Sequence, residues 1–321
     1  MPVSRRTFLK YSAAAASAPF LFCKNDGISV ENHVQVIALG IMQDGGMPQL
    51  GCTCERCSRA ARDYRARRFV TSLGIRDTEG KVHLVDTTPD IREQLVLMRS
   101  GLPGEPAISG RPVDGIFLTH AHMGHYTGLM HFGFESLSSD SIPVHCTHKM
   151  AEYLQNNGPW DQLVQYKNIV LNPFEYGDKI VAGPSLTIEP LNVPHRQEYT
   201  DTAGFVINGA KKSMLYIPDI DSWEEWTDDL SETLRLYDIA VVDGSFYSGD
   251  ELPGRDMSKV PHPLITHTMD LLRGTLDLQK TQVYFTHFNH TNPVLNADGI
   301  IKKRIEQEGF YCLEQGMVFS L

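Results

Sequence analysis

Three histidines lie within the segment 119–125, directly after the short apolar run 115–118. The run predicts a buried strand, which places the histidines on the loop that leaves its end. His120 and His122 are two residues apart, so in an extended chain both side chains point the same way and can bind one ion. His125 follows a turn later and can face a second ion. Neutral imidazole is a ligand for zinc, iron and nickel, so the segment predicts a metal site.

Metal-binding residue types also follow four other apolar runs of the chain. Side chains gathered at one end of a sheet form one site. The recurrence therefore predicts a single site assembled from five segments. The residues beyond the histidine segment are Asp86, His195, Asp219 and His287, after runs that end at residues 85, 193, 217 and 285.

A cluster of cysteines indicates a second kind of metal site. Cys52, Cys54 and Cys57 have the spacing C-x-C-x2-C, which is too short for disulfides within the cluster and suits three ligands of a tetrahedral zinc. Zinc held in this way would contribute folding energy to the loop that carries the cysteines. The alternative is a loop with free or oxidised thiols.

The bulk composition is that of an ordinary globular protein. The chain has 321 residues, of which 41% are hydrophobic and 21% charged, enough to bury a large core. The formal charge of −10 argues against a nucleic-acid partner bound by phosphate neutralisation. It leaves open a small anionic substrate held by metal ions. After residue 27 no run approaches the roughly 20 apolar residues of a membrane-spanning helix.

Residues 1–27 predict a targeting segment, and residues 28–321 the mature domain. Residues 4–10, SRRTFLK, resemble the twin-arginine export motif, and an alanine-rich apolar run follows them. We therefore expect export to the periplasm by the twin-arginine machinery. An amphipathic N-terminal helix is the structural alternative, and Cys23 is an alternative site of lipid attachment.

The histidine segment resembles the His-x-His-x-Asp-His signature of the metallo-β-lactamase superfamily, with Gly124 in place of the Asp. The resemblance implies an α/β fold, the αββα sandwich of two mixed sheets with helices outside. Tight turns between several strand pairs also favour it over a doubly wound parallel sheet. The implied roles are His120, His122 and His195 for a first metal, His125 and His287 for a second, Asp219 as the bridge, and Asp86 as the carboxylate that orients a ligand histidine.

Two further resemblances narrow the family. The cysteine loop is similar to that of the branch containing the phosphonate-pathway cyclic phosphodiesterase, which implies that His290 completes a structural zinc site with Cys52, Cys54 and Cys57. Residues 34–321 resemble the pyrroloquinoline quinone (PQQ) biosynthesis protein B family, most clearly at 289–296, NHTNPVLN. That family usually lacks the full His-x-His pair and is normally cytoplasmic, so this chain departs from it twice.

Two functions follow from these expectations. The first is a metal-dependent hydrolase of a small ester or phosphodiester, with two zinc, manganese or iron ions and with His125, Asp219 and His287 as candidate catalytic residues. The second is a PQQ biosynthesis factor, either an iron-dependent oxygenase or an accessory or carrier protein, because two histidines and one carboxylate also suit non-haem Fe(II). Arg255 and His262 lie in a loop that either covers the site or is simply solvated.

Overall fold

The computed structural model describes residues 33–102, 111–227, 229–252 and 254–321. The predicted targeting segment and Cys23 lie outside these residues. The described residues form two mixed sheets of seven strands each. In chain order the strands are β1 Gln35–Gly40, β2 Ser72–Arg76, β3 Val82–Val85, β4 Gly115–Phe117, β5 Ile142–Cys146, β6 Ile169–Pro173, β7 Ile180–Gly183, β8 Leu186–Val193, β9 Thr202–Asn208, β10 Ser213–Ile217, β11 Ile239–Asp243, β12 Gln282–Thr286, β13 Tyr311–Cys312 and β14 Val318–Ser320.

The helices lie between these strands. The α-helices are α1 Glu55–Arg62, α2 Ile91–Gly101, α3 Met123–Tyr126, α4 His148–Asn156, α5 Trp160–Gln165, α6 Trp223–Trp226, α7 Leu230–Leu234, α8 Ile265–Leu272 and α9 Ile300–Gln307, and short 3-10 helices cover Tyr64–Ala66, Thr127–Phe132, Met257–Lys259 and Pro293–Leu295. Within the described residues, none of these helices is long and apolar enough to cross a membrane.

The strand order and strand directions of the two sheets explain why the candidate site residues lie at one edge of the sandwich. The first sheet runs β14-β1-β2-β3-β4-β5-β6 and the second β13-β12-β11-β10-β9-β8-β7. Strands β3 to β6 are parallel neighbours, and so are β10 to β13. Two antiparallel pairings, β8 with β9 and β9 with β10, make β8 run in the same direction as β10. The carboxyl ends of β8, β10, β11 and β12 therefore meet at one edge.

The main core lies between the sheets. Phe117 of β4 and Phe205 of β9 meet edge to face there, with ring centroids 5.9 Å apart. Strand β11 is buried at every position, as its continuous apolar sequence predicts for a central parallel strand. The sandwich therefore buries apolar residues of both sheets and leaves the polar strand ends at the rim.

A second core lies under the helices that cover the first sheet. Helix α4 begins where Thr147 Oγ1 accepts a hydrogen bond from the Met150 amide. It buries Met150, Ala151 and Leu154, which lie on one face of the helix. The same apolar cluster contains Ile116 of β4, and α4 itself packs against the edge strand β6 of this sheet.

The cysteine segment differs from the predicted loop. Helix α1 begins directly after Cys54 and carries the buried Cys57 in its first turn, and the Ser58 amide bonds to the Cys54 carbonyl over 2.8 Å. The helical signal in the sequence is weak because half of the residues of this short helix are charged and only two of its residues are buried. The helix fixes the relative positions of Cys54 and Cys57.

Candidate metal centre

The histidine segment is positioned by two parallel strands. Because β3 and β4 are neighbours, Asp86 lies one residue past the end of β3 and beside the residues that follow β4. Its Oδ1 accepts a hydrogen bond from the Thr119 amide over 2.8 Å. The His125 amide bonds to the His122 carbonyl over 2.9 Å, which turns the segment into α3. The rings of His120 and His125 then lie 4.2 Å apart between centroids.

The second sheet contributes its ligands from three strand ends. His195 follows β8, Asp219 follows β10, and His287 follows β12. His195 Nε2 lies 3.1 Å from His122 Nδ1, so the two sheets meet at the site. His287 has a φ of 62°, a left-handed conformation that is uncommon for a residue with a side chain and is often found at functional sites.

The Oδ2 atom of Asp219 is the centre of the cluster. Although burial opposes its ionisation, the imidazoles of His287 and His195 hold the pKa of Asp219 well below its usual range. Ligand atoms of a tetrahedral zinc lie about 3.4 Å from one another. The distances from Oδ2 are 3.1 Å to His195 Nε2, 3.5 Å to His120 Nε2, 3.8 Å to His287 Nε2, 3.9 Å to His125 Nε2 and 4.0 Å to His122 Nδ1.

In each of these five histidines, the outer ring nitrogen, which points away from Asp219, contacts a hydroxyl or a carboxylate oxygen. Such a partner fixes the tautomer and turns the other nitrogen towards the centre. The partners are Thr119 Oγ1 on His120 at 3.0 Å, Glu198 Oε2 on His122 at 3.0 Å, Asp86 Oδ2 on His125 at 2.7 Å, Asp221 Oδ1 on His195 at 2.7 Å and Ser245 Oγ on His287 at 2.9 Å.

The inner atoms show whether these residues fit a cation. His120 Nε2, His125 Nε2, His287 Nε2 and Asp219 Oδ1 are buried and have no hydrogen-bond partner among the described residues. A buried polar atom without a partner costs about 1–3 kcal/mol. These four atoms lie in one cluster, and imidazole nitrogen and carboxylate oxygen both bind divalent metals. The residues therefore fit a metal centre.

Two residues of the centre, Asp44 and Asp243, were missed in the sequence, and a third, His262, was predicted only as part of a loop that could cover the site. Asp243 ends β11 and was within reach of the same signal, because it too follows a continuous apolar run. Asp44 lies in the glycine-rich turn after β1, and His262 in the loop before α8. These three residues join His125, Asp219 and His287 in two further groups of potential metal-binding atoms that lie within 4.8 Å of one another.

Of the two loop residues that the sequence placed near the site, Arg255 and His262, only His262 reaches the centre. His262 Nδ1 lies 2.8 Å from Asp243 Oδ2 and 3.3 Å from Asp219 Oδ1. Arg255 is exposed. Asp221, two residues after Asp219, contacts Nδ1 of His195, the nitrogen that points away from the centre.

The cysteine cluster has the geometry of a small tetrahedral site. His290 Nδ1 lies 3.6 Å from Cys52 Sγ, 4.0 Å from Cys54 Sγ and 3.6 Å from Cys57 Sγ. In a zinc site with three sulfur ligands and one nitrogen, these edges are about 3.6 Å. Burial raises the pKa of the Cys57 thiol to about 12, so a bound cation must displace its proton. The structure thus brings together the four predicted residues.

The Arg56 side chain ties this cluster to the segment that carries His290. Its guanidinium donates to the carbonyl oxygens of Thr291, over 2.8 Å, and of Asn292. The Gln49 amide also donates to Cys57 Sγ over 3.3 Å, which suits a sulfur that carries negative charge.

Comparison with known proteins places the chain in a family. Residues 83–288 match the model of the beta-lactamase superfamily domain, so the chain belongs to the beta-lactamase superfamily. It is 25% identical over 311 residues to coenzyme PQQ synthesis protein B of Methylobacterium sp. (strain 4-46), a match that covers 90% of this chain and 100% of that protein. The corresponding protein of Methylobacterium nodulans is 26% identical over 314 residues.

Solved structures share the fold. Zn(2+)-bound PqqB from Methylobacterium extorquens superposes with a TM-score of 0.75 at 23% identity, covering 89% of this chain and 100% of that one. A diphosphatase from the PhnP family gives a TM-score of 0.65 at 22% identity, covering 90% and 97%. The superfamily membership and the αββα fold predicted from the sequence are confirmed.

Proposed function

We propose that the protein is a metal-dependent hydrolase of a small ester or phosphodiester, with two divalent cations that share Asp219. One observation carries the proposal: Asp219 Oδ2 lies within 4.0 Å of an inward nitrogen of all five candidate histidines. A carboxylate oxygen placed among five imidazoles suits a bridge between two cations better than a ligand of one.

The chemistry of such a centre divides between the cations and the protein. Divalent cations in a paired site lower the pKa of water and stabilise negative charge on a phosphoryl or carbonyl oxygen. The protein holds the five imidazoles in fixed orientations through their outer partners and keeps Asp219 ionised. His122 and Asp44 are the more accessible members of the centre, with side chains 13% and 30% exposed, so substrate approaches from their side.

His262 acts as a positioning residue for Asp219. Asn289 Nδ2 donates to Gln43 Oε1 over 2.6 Å, which turns the Gln43 amide nitrogen towards His262 Nε2, 3.2 Å away. That nitrogen of His262 accepts, so its Nδ1 carries the proton and donates to Asp243 Oδ2 over 2.8 Å, while it lies 3.3 Å from Asp219 Oδ1 without a hydrogen bond to it. The hydrogen bonds from Asn289 through Gln43 to His262 thus help to hold Asp219, the carboxylate that the cations share. They place no proton donor on the side from which substrate approaches.

The anionic substrate class has support at the rim. Arg196 is exposed beside the centre and pairs with Glu198, whose other oxygen contacts His122. Among the structural neighbours, the PhnP-family protein is a diphosphatase, which fits a phosphorus ester as substrate. We propose further that the domain works in the periplasm after twin-arginine export, because of the motif at residues 4–10.

The test is hydrolysis by fully metal-loaded protein. We expect cleavage of at least one member of a panel of aryl esters, phosphodiesters and pyrophosphate diesters with zinc or manganese. Asp219→Asn should lower kcat/KM by at least about 100-fold, since it removes the shared ligand. Glu152→Gln, an exposed carboxylate on α4, is the matched control and should keep full activity. No cleavage of any panel member by the loaded protein would contradict the proposal.

A PQQ biosynthesis factor is the second candidate. Its support is the similarity to coenzyme PQQ synthesis protein B over 90% of this chain and the whole of that protein. An iron-dependent oxygenase of this kind would consume O₂ only when a tyrosine-like substrate is present. Iron-loaded protein in an oxygen electrode separates the two functions: substrate-dependent O₂ uptake without ester cleavage favours the second, and ester cleavage without uptake favours the first.

A further inference from the structure

The carboxylate of Asp44 lies where a side chain at Gly124 would lie. A Cβ added to Gly124 would be 2.2 Å from Asp44 Oδ1 and 2.8 Å from Asp44 Cα, closer than any real Cβ contact. The Gly124 amide instead donates to Asp44 Oδ1 over 3.1 Å. The two positions are 80 residues apart in sequence, yet only one of them can carry a side chain.

Glycine is required at position 124 because a side chain would clash with Asp44, and not because of the backbone conformation there. Gly124 is not among the glycines with positive φ, and it lies inside helix α3. Alanine would suit an ordinary helical residue better than glycine does, by about 1 kcal/mol. The close approach of Asp44 therefore explains the glycine, because the three atoms nearest to the added Cβ all belong to Asp44.

Asp44 faces two buried nitrogens that have no partner. Its Oδ1 lies 3.7 Å from His125 Nε2, and Asp44, His125 and His287 each offer an atom within 4.8 Å of the others. His125 Nε2 and His287 Nε2 are both buried without a hydrogen bond among the described residues. A third donor atom, from a carboxylate, completes one side of a cation site there.

We propose that Asp44 is a ligand of the second cation, which it holds together with His125, His287 and the shared Asp219. The aspartate comes from the turn after β1, and Gly124 leaves the space for it. This inference rests on the paired metal centre of the proposed function and not on the reaction catalysed there.

The turn that carries Asp44 is fixed to the strand end that carries His287. The Gln43 amide donates to the Phe288 carbonyl over 3.0 Å, and the Phe288 amide donates to the Ile41 carbonyl over 2.8 Å. These two backbone hydrogen bonds join segments that are distant in sequence, and they fix the positions of Asp44 and His287 relative to each other. Asp44 needs no large movement to reach a cation bound by His287.

The additional carboxylate changes the character of the second position. Two histidines and one carboxylate leave several positions open, as non-haem Fe(II) oxygenases require. With Asp44 the position has two histidines and two carboxylates, so fewer positions are open and the negative charge is greater. That ligand set favours zinc or manganese and hydrolysis.

Metal stoichiometry and affinity test the inference without any substrate. The full chain, stripped with chelator and titrated with zinc, should bind three equivalents: two at the paired centre and one at the cysteine cluster. Asp44→Asn keeps the shape and the bond from Gly124 but loses the charge. We expect it to weaken one of the three equivalents by at least about 10-fold. Glu152→Gln should match the unaltered chain. An unchanged affinity for all three equivalents in Asp44→Asn would overturn the inference.

A steric pair of variants tests the link between the two residues. Gly124→Ala should displace Asp44 and weaken the same equivalent. In an Asp44→Ala background, Gly124→Ala should have a much smaller further effect on that equivalent, because the carboxylate that it displaces is already absent and only the 2.8 Å contact with the Cα of residue 44 remains. Equal losses from Gly124→Ala in both backgrounds would contradict the inference. Zinc binding separates this result from the reaction, since loss of the equivalent in Asp44→Asn stands whether or not the loaded protein hydrolyses any ester.

Discussion

Asp86 Oδ2 lies 2.7 Å from His125 Nδ1, and both side chains are fully buried. Asp86 also accepts from the Thr119 amide and hydroxyl, so one carboxylate holds both the backbone and a ring of the histidine segment. Asp86 has a φ of 66°, an uncommon left-handed conformation that points to a constrained position.

Removal of this carboxylate should destabilise the fold as well as the centre. Asp86→Ala leaves His125 and Thr119 buried without their partner, so we expect the free energy of unfolding to fall by about 3–5 kcal/mol. Urea denaturation followed by circular dichroism measures the change. A loss below about 1 kcal/mol would contradict the structural role given to Asp86.

Asp221 provides the comparison, because it contacts His195 as Asp86 contacts His125 but is 25% exposed. Asp221→Ala should therefore lower stability by no more than about 1 kcal/mol. It should still weaken zinc binding by about 10–100-fold, since the carboxylate orients a ligand ring. Equal stability losses for Asp86→Ala and Asp221→Ala would show that burial does not set the difference.

Metal binding should depend steeply on pH through His195. Burial opposes its charge, but the carboxylates of Asp219 and Asp221 outweigh burial and raise the pKa of His195 to about 10. At pH 7 a cation must displace this proton, so zinc affinity should rise by up to about tenfold per pH unit between pH 7 and 9. Calorimetry in buffers of different ionisation enthalpy measures the protons released.

The same shift predicts the pH dependence of stability in chelator. The folded pKa of about 10 exceeds the ordinary value of 6.5, so the folded state binds the extra proton between these values. The charged His195 therefore stabilises the fold fully below pH 6.5, and this contribution is lost as the pH rises to 10. In His195→Gln that slope should disappear. An unchanged slope in the variant would assign the effect to another group.

Zinc at the cysteine cluster should stabilise the domain. Cys57→Ser should remove one zinc equivalent and that site's share of the stabilisation by zinc, which amounts to about 2.7 kcal/mol when zinc is present at about 100 times the Kd of the site. Cys312→Ala is the control, because this buried cysteine lies on β13, outside the cluster. Loss of a zinc equivalent in the control, or its retention in Cys57→Ser, would contradict the assignment. Plasma emission spectroscopy counts the equivalents.

Export should depend on the arginine pair near the start of the chain. Arg5→Lys combined with Arg6→Lys should keep the protein in the cytoplasm, because the twin-arginine machinery reads the pair itself. Arg62→Lys with Arg65→Lys changes two exposed arginines of the folded domain and should leave export intact. Cell fractionation with immunoblotting measures both. Equal periplasmic amounts for the two double variants would exclude this route.

The ligands that were predictable share one signal. His120, His195, Asp219 and His287 each follow an apolar strand closely, and the strands are long enough to be recognised from sequence. The short strands β13 and β14 carry too few residues for such a signal and were missed. A ligand could therefore be predicted wherever a metal-binding residue type follows a buried apolar run.

Asp44 and His262 gave no comparable signal. Asp44 lies in a glycine-rich turn, and its place beside Gly124 depends on bonds between that turn and Phe288. His262 depends on Gln43 and Asn289, from two other segments, for its orientation. Contacts of this kind join loops that are distant in sequence, and no periodicity or spacing records them.

The proposed centre holds two cations that share the carboxylate of Asp219. Anomalous diffraction at the zinc edge, from crystals of zinc-loaded protein, tests it most directly. We expect two peaks about 3.5–4 Å apart, both bonded to Asp219, and a third among Cys52, Cys54, Cys57 and His290. A zinc-loaded crystal with the third peak occupied and fewer than two peaks bonded to Asp219 would show that the carboxylate is not shared.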